Sequence, residues 1–237
     1  MRAGETTYDV GGFKVPAYYA APAGRTGLPV VLVIQEIFGV HEYIADTARR
    51  FAKAGYLAIA PELFERQGDA QSYGEMAKLM AEVIAKVPDA QVMGDLDACV
   101  KWAVAHGGDA KKLAVTGFCW GGRQAWLFAA HNRSVKAGVA WYGRLVGAPS
   151  ALTPAHPVDL AGKLHPGYDF VRQTSAGDGS DIYTSEQAGL DEDHPQRLHL
   201  RRAGRGADAD GVRDPPGDGH ARRQRLRALD PEGQRRR

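Results

Sequence analysis

Val30-Val31-Leu32-Val33-Ile34 is an unbroken apolar run rich in β-branched residues, which suits a strand buried on both faces of a parallel sheet. The positions around it switch between strand and helix periods. Residues 7–10 and 13–19, joined at Gly11-Gly12, alternate as a short hairpin at a sheet edge would. Beyond a loop over residues 35–41, apolar Ile44, Ala48, Phe51 and Ala52 lie on one helical face until Gly55 ends it. Residues 57–60 predict the next strand. Residues 72–87 predict one helix, apolar at Met76, Leu79, Met80, Val83 and Ile84 and stopped by Pro88. A further helix is expected over 91–106, apolar at Val92, Leu96, Cys99, Val100 and Ala103, with Gly107-Gly108 behind it. Strands over 113–116 and 137–141 enclose a helix over 121–132. This order predicts a doubly wound, mainly parallel α/β sheet with helices on both faces and right-handed crossovers.

The pattern stops near residue 163. Residues 1–163 hold 46 Ile, Leu, Val, Met, Phe or Trp and residues 164–237 hold 10, so the density of core-forming side chains halves. All nine lysines lie at or before Lys163, whereas the last 74 residues carry 13 arginines, 13 acids and no lysine. Pro166, Pro195, Pro215, Pro216 and Pro231, with frequent glycines, complete a composition too poor in apolar side chains to repay its ordering entropy. The sequence therefore divides into a core, 1–163, and an Arg/Gly/Pro/Asp-rich tail, 164–237, expected to be disordered or non-native. The net charge of +2 is too small to argue for nucleic acid or an anionic membrane. No apolar run approaches the roughly 20 residues of a transmembrane helix. Met1-Arg2-Ala3-Gly4-Glu5 has no apolar stretch behind its arginine, so a cytoplasmic location is expected. Two cysteines, Cys99 and Cys119, cannot make a disulfide framework.

In open α/β sheets ligands bind beyond the carboxyl ends of the strands, so the residues there are the first to inspect. Gly117-Phe118-Cys119-Trp120-Gly121-Gly122 fits G-x-nucleophile-x-G between a strand and a helix, with cysteine in the nucleophile position. Glycines on either side avoid clashes in a strained turn, and the N-terminus of the following helix favours the thiolate, the reactive form. The alternative is a buried structural cysteine in a Gly-rich turn; the strand-turn-helix context favours the nucleophile. Glu36, directly after the central strand and beside Ile37 and Phe38, could work as a base or hydrogen-bond partner. Position alone does not separate that from a solvated loop glutamate. Cys99 shares an apolar helical face and is assigned to the core. His41 and His106 at helix edges, and His131 near a helix C-terminus, read as solvated caps. Trp120 and Trp126 either line a pocket or pack the helix onto the sheet. No Cys, His and acid spacing suggests a metal, and no phosphate loop is present, so no cofactor is expected.

Gln35-Glu36-Ile37-Phe38-Gly39, Gly55-Tyr56-Leu57-Ala58-Ile59-Ala60-Pro61-Glu62-Leu63-Phe64 and the Cys119 segment, in that order, resemble the dienelactone hydrolase (carboxymethylenebutenolidase) family of the α/β-hydrolase fold. The resemblance runs from about Thr7 to Lys163 and includes His156-Pro157-Val158-Asp159. It implies that Cys119 attacks a lactone carbonyl, that Glu36 governs thiol ionisation, and that the backbone N–H groups of Ile37 and Trp120 hold the oxyanion. It also implies a histidine that relays the proton and an aspartate that orients it. In this fold both follow the nucleophile in the chain, which puts them in the tail. The nearest analogues there are Asp178, Asp181 and His220, and none follows an apolar strand; Phe170-Val171 is too short to count as one. Arginines for a substrate carboxylate are unsupported, since none occurs between Arg66 and Arg123. The leading expectation is a thiol-dependent hydrolase of a small lactone or activated ester. The alternative is an impaired remnant that at most binds small molecules. An RNA-binding tail is disfavoured because acids balance its arginines and no aromatic platform accompanies them.

The tail has the composition expected of GC-rich codons read out of register, which yield Arg, Gly, Pro, Asp and Ala with hardly any Lys or Ile. One synonymous back-translation of residues 228–237, read in another register, yields Arg-Pro-Ser-Thr-Arg. That is similar to an Arg-Pro-Ser-x-Arg stretch following the catalytic histidine in the family. The expected outcome of nucleotide sequencing across codons 160–237 is an alternative frame that carries an apolar strand, a Gly-x-Asp turn and a Gly-His. Stop codons in that frame, or none of these motifs, would contradict it.

Overall fold

The computed structural model describes residues 1–164 and, as backbone only, strands at Asp169–Gln173, Ala188–Leu190 and Leu198–Leu200. The elements in chain order are β1 (Arg2–Val10), β2 (Phe13–Ala21), β3 (Leu28–Ile34), α1 (Glu42–Lys53), β4 (Leu57–Pro61), α2 (Met76–Glu82) and α3 (Asp89–Ala105). They continue with β5 (Gly108–Phe118), α4 (Trp120–His131), β6 (Val135–Trp141), α5 (Pro157–Leu160) and β7 (Asp169–Gln173). The main sheet has the order β1-β2-β4-β3-β5-β6-β7. Strands β4, β3, β5, β6 and β7 run parallel, and the β1-β2 hairpin joins β4 antiparallel. The chain leaves β3 toward β4 and returns to β5 on its other side, so the topological switch falls at β3, between β4 and β5.

The continuous apolar run of β3 follows from burial on two faces. Val30, Leu32 and Ile34 pack with Leu57, Ile59, Leu113 and Val115 under α3 and α4, while Val31 and Val33 pack with Ala58 and Ala60 under α1. On the α1 side, Tyr43, Thr47, Arg50 and Phe51 of α1 face Thr116 and Phe118 of β5 and Val139 and Trp141 of β6 across a cavity of about 720 Å³. The Trp141 and Phe118 rings stack there, and Trp141 Nε1 donates to Thr116 Oγ1 at 3.0 Å.

Three sequence expectations change. The helix expected over 72–87 is interrupted: a single 3-10 turn at Ala70–Ser72 precedes α2, and another at Ile84–Lys86 follows it. The break falls at Val83, where φ is −115° and the side chain is fully buried. Tightening the turn there lets Val83, Ile84 and Val87 all reach the core. Strand β1 starts at Arg2 and β5 at Gly108, because pairing with β2 and with Leu28 and Pro29 extends them through polar residues. Strand β7 lies beyond residue 163 and pairs in parallel with β6, so Phe170-Val171, judged too short from sequence, sits inside a five-residue strand.

A buried ion pair fixes where α4 begins. Arg123 Nη1 and Nη2 donate to Asp89 Oδ1 and Oδ2 at 2.6 and 2.8 Å, and Gln124 Nε2 adds a third donor to Oδ1 at 3.1 Å. Arg123 Nη2 also donates to the Ala155 carbonyl at 2.7 Å, beside buried His156. One guanidinium therefore ties the starts of α3 and α4 to the segment leading into α5. Removing one member of a buried pair strands the other's charge, so Asp89→Ala should lower unfolding stability by about 3–5 kcal/mol. Urea unfolding checks this; a loss under about 1 kcal/mol, the range of a surface pair, would contradict it.

Candidate active site

Strand β5 ends at Phe118, α4 starts at Trp120, and Cys119 between them has φ 53° and ψ −113°. That backbone is strained for any residue with a Cβ, and strain of this kind costs of order 1–3 kcal/mol. The surroundings impose it. The Cys119 N–H donates to the Trp141 carbonyl at 3.0 Å, which holds the turn against β6. The nearby glycines make backbone-to-backbone contact. A Cβ on Gly117 would lie 2.1 Å from the Gly121 carbonyl oxygen, one on Gly121 2.2 Å from the Gln35 carbonyl oxygen, and one on Gly122 2.5 Å from the Trp141 carbonyl oxygen. The elbow is therefore pressed against both the end of β6 and the loop after β3. Cys119 is partly exposed at its tip.

The loop after β3 carries Glu36 and Ile37. Among the described residues neither the Ile37 nor the Trp120 backbone N–H has an acceptor, and Trp120 occupies the first turn of α4, where N–H groups lack intrahelical partners. The Glu36 carboxylate is held by its own loop. Oε2 accepts the Phe38 N–H at 3.2 Å, and Oε1 is bonded to His41 Nε2. No hydrogen bond between Glu36 and Cys119 is found among the described residues. Both groups nonetheless lie close to Tyr142, whose phenol is pushed up first by burial and then by the charges of Cys119, Glu36 and Tyr43.

Sequence reasoning gave two neighbours, Glu62 and Tyr142, no role and a third, His41, only that of a cap. Glu62, at the end of β4, accepts the Val40 N–H at 2.7 Å and Gln35 Nε2 at 2.9 Å, so it fastens both ends of the Glu36 loop. Burial raises the Glu62 carboxyl, and the donors from Val40, Gln35 and Phe64 counter it. Tyr142, directly after β6, has φ 40°. His41 caps α1 as expected but also engages Glu36. A strand-end rule applied to every strand would have drawn attention to Glu62 and Tyr142.

Cys99 is fully buried, and burial raises its thiol. Trp126 packs in the core, and Trp120 stacks edge-on against Phe64 at 4.6 Å. His106 is not a free cap: its ring stacks on Trp102 at 3.9 Å. His131 bonds Asp97 at 2.8 Å. Asp178, Asp181 and His220 lie outside the described residues.

A mainly parallel sheet in this strand order, with a glycine-walled turn of positive φ at the end of β5, defines an α/β-hydrolase-like protein. Residues 15–164 match the dienelactone hydrolase family, and the chain belongs to it. A carboxymethylenebutenolidase candidate of Yersinia pestis is 59% identical over 162 residues, which is 68% of this chain and 61% of that protein. One of Escherichia coli strain K12 is 53% identical over 164 residues, 69% of this chain and 60% of the relative. The chain thus spans about three-fifths of the length of these relatives. A crystal structure of a dienelactone hydrolase candidate from Klebsiella pneumoniae superposes with a TM-score of 0.70 at 54% identity, covering 72% of this chain and 71% of that one. A dienelactone hydrolase-like promiscuous phosphotriesterase from metagenomic libraries shares the fold, with a TM-score of 0.58 at 24% identity, over 74% of this chain and 69% of its own.

The contact between Gly121 and the Gln35 carbonyl sets the elbow against the Glu36 loop, and neither backbone can yield cheaply. Gly121→Ala should therefore cost at least about 2 kcal/mol, typical of overpacking against fixed atoms, and should slow alkylation of Cys119. Thermal unfolding with peptide mapping of iodoacetamide adducts checks both. Unchanged stability and labelling would contradict the contact.

Proposed function

We propose that this site is a thiol-dependent centre for hydrolysis of small lactones or activated esters. The observation that carries the reading is a cysteine at positive φ on a glycine-walled elbow, with two N–H groups left without acceptors beside it. Cys119 is the nucleophile. Its thiolate sulfur attacks the carbonyl carbon, forming the C–S bond as the carbonyl π electrons move to oxygen. The Ile37 and Trp120 N–H groups receive that oxyanion, and such preorganised donors are worth most where charge develops. Collapse expels the ring oxygen and leaves a thioester, which water cleaves to the carboxylic acid and free thiol. Glu36 acts on thiol ionisation through its charge. The designation of the relatives as carboxymethylenebutenolidase candidates supports the lactone as substrate class.

The tail, 164–237, bears on turnover. The family match ends at residue 164, where the apolar pattern also stops. This favours a second reading, in which the core acylates but lacks a histidine and aspartate to complete hydrolysis. Dienelactone turnover together with thiol labelling separates the two: labelling without turnover selects the second.

Iodoacetamide should modify Cys119 faster than Cys99 in the native protein, and equal or reversed rates would remove Cys119 as nucleophile. Glu36→Gln deletes a negative charge that opposes the thiolate, so the midpoint of Cys119 alkylation should move to lower pH. Superimposable pH profiles would reduce Glu36 to a loop residue.

A further inference from the structure

His41 stands at the N-cap of α1, and its ring is used on both sides. Nδ1 accepts the Tyr43 backbone N–H at 3.3 Å, so the ring proton of the neutral imidazole sits on Nε2. Nε2 meets Glu36 Oε1, and the other carboxylate oxygen accepts the Phe38 N–H. Both Glu36 oxygens are therefore turned toward the loop over residues 36–41. The histidine and glutamate side chains are 31% and 16% exposed, so their bond is shielded from most competing water. Tyr142, from the end of β6, lies within reach of the charges of Cys119 from the elbow, Glu36 and Tyr43 from α1, so thiol and carboxylate share this neighbour. Glu62, from the end of β4, fixes the same loop from below through Gln35 and Val40.

We propose that His41 is a positioning residue, locked as the Nε2–H tautomer by capping α1, which holds the Glu36 carboxylate in a fixed place relative to the Cys119 thiol. The inference rests on the reading of Cys119 and Glu36 given above. A carboxylate beside a thiol opposes thiolate formation. A donor that shares the carboxylate's charge and keeps it turned toward residues 38 and 41 weakens that opposition. Without the donor, the carboxylate is free to swing toward the sulfur.

The two uses of the imidazole can be separated by substitution. Asparagine caps helices well but is too short to reach Glu36 from the cap. Glutamine reaches Glu36 with an N–H but is a poor cap. His41→Asn should move the midpoint of Cys119 alkylation by iodoacetamide upward by about 0.5 to 1 pH unit, slowing the neutral-pH reaction roughly 3- to 10-fold. His41→Gln should keep the parent profile. In a Glu36→Gln background, His41→Asn should change nothing further, whereas a purely structural role would act equally in both backgrounds. Thermal melts of each variant report the cap separately. If Glu36→Gln shifts the profile while His41→Asn leaves it unchanged, the positioning role is overturned and the reading of Glu36 stands. An equal shift in His41→Gln would assign the effect to the cap and also overturn the role. If Glu36→Gln shifts nothing, both readings fall.

Discussion

Backbone pressed on backbone at the end of β5 is the constraint from which the site follows. Gly117 and Gly121 pack against each other across the turn, Gly121 packs against the carbonyls of Ile34 and Gln35, and Gly122 against that of Trp141. A Cβ at any of these positions would overlap fixed atoms. Between that strand and helix the chain rises through Cys119 at positive φ, a sparsely populated backbone for a residue with a Cβ. Strain of this kind persists only where its surroundings over-determine it. Here they do: β5 is flanked by β3 and β6, and α4 is anchored four residues later by the buried Arg123–Asp89 pair.

The same contacts set the loop after β3 in register with the elbow. Gly121 touches the Gln35 carbonyl, so the position of Ile37 is coupled to that of Trp120. Glu62 then holds both ends of the loop, and His41 closes its crown onto Glu36. Thiol, carboxylate and the two N–H groups thus come from two strand ends, those of β3 and β5, and each is positioned by atoms outside its own segment. That division fits a sheet whose topological switch lies at β3.

The strand over 30–34 was legible because both of its faces are buried, which leaves no polar position to obscure it. The elbow was legible because its glycines fall in a fixed pattern between a strand and a helix. The first half of β1 and the start of β5 were not, since Glu5, Gly108 and Asp109 become strand only through pairing with distant partners. Val83 broke an otherwise convincing helical pattern because side-chain burial, which periodicity does not report, decided the local turn. Glu62 and His41 escaped for a related reason. The Glu62 bond to Gln35 spans 27 residues, and the value of His41 lies in which nitrogen faces which partner. Neither is a spacing in the chain. Tyr142 stands at a strand end and so was within reach of the strand-end rule, but its positive φ, beside the packing of Gly143 against Gly122 and Arg123, was not.

The elbow, as proposed above, presents a nucleophilic thiol that the core builds by itself. Brief mixing of the protein with p-nitrophenyl acetate, followed by mass spectrometry, reads whether that thiol attacks an activated ester. One acetyl group per chain, mapped to Cys119 as a thioester, is the expected result. An acetyl group on Cys99, or no acetyl group on either cysteine together with p-nitrophenol release no faster than that of Cys119→Ala, while the fold remains intact, would contradict it.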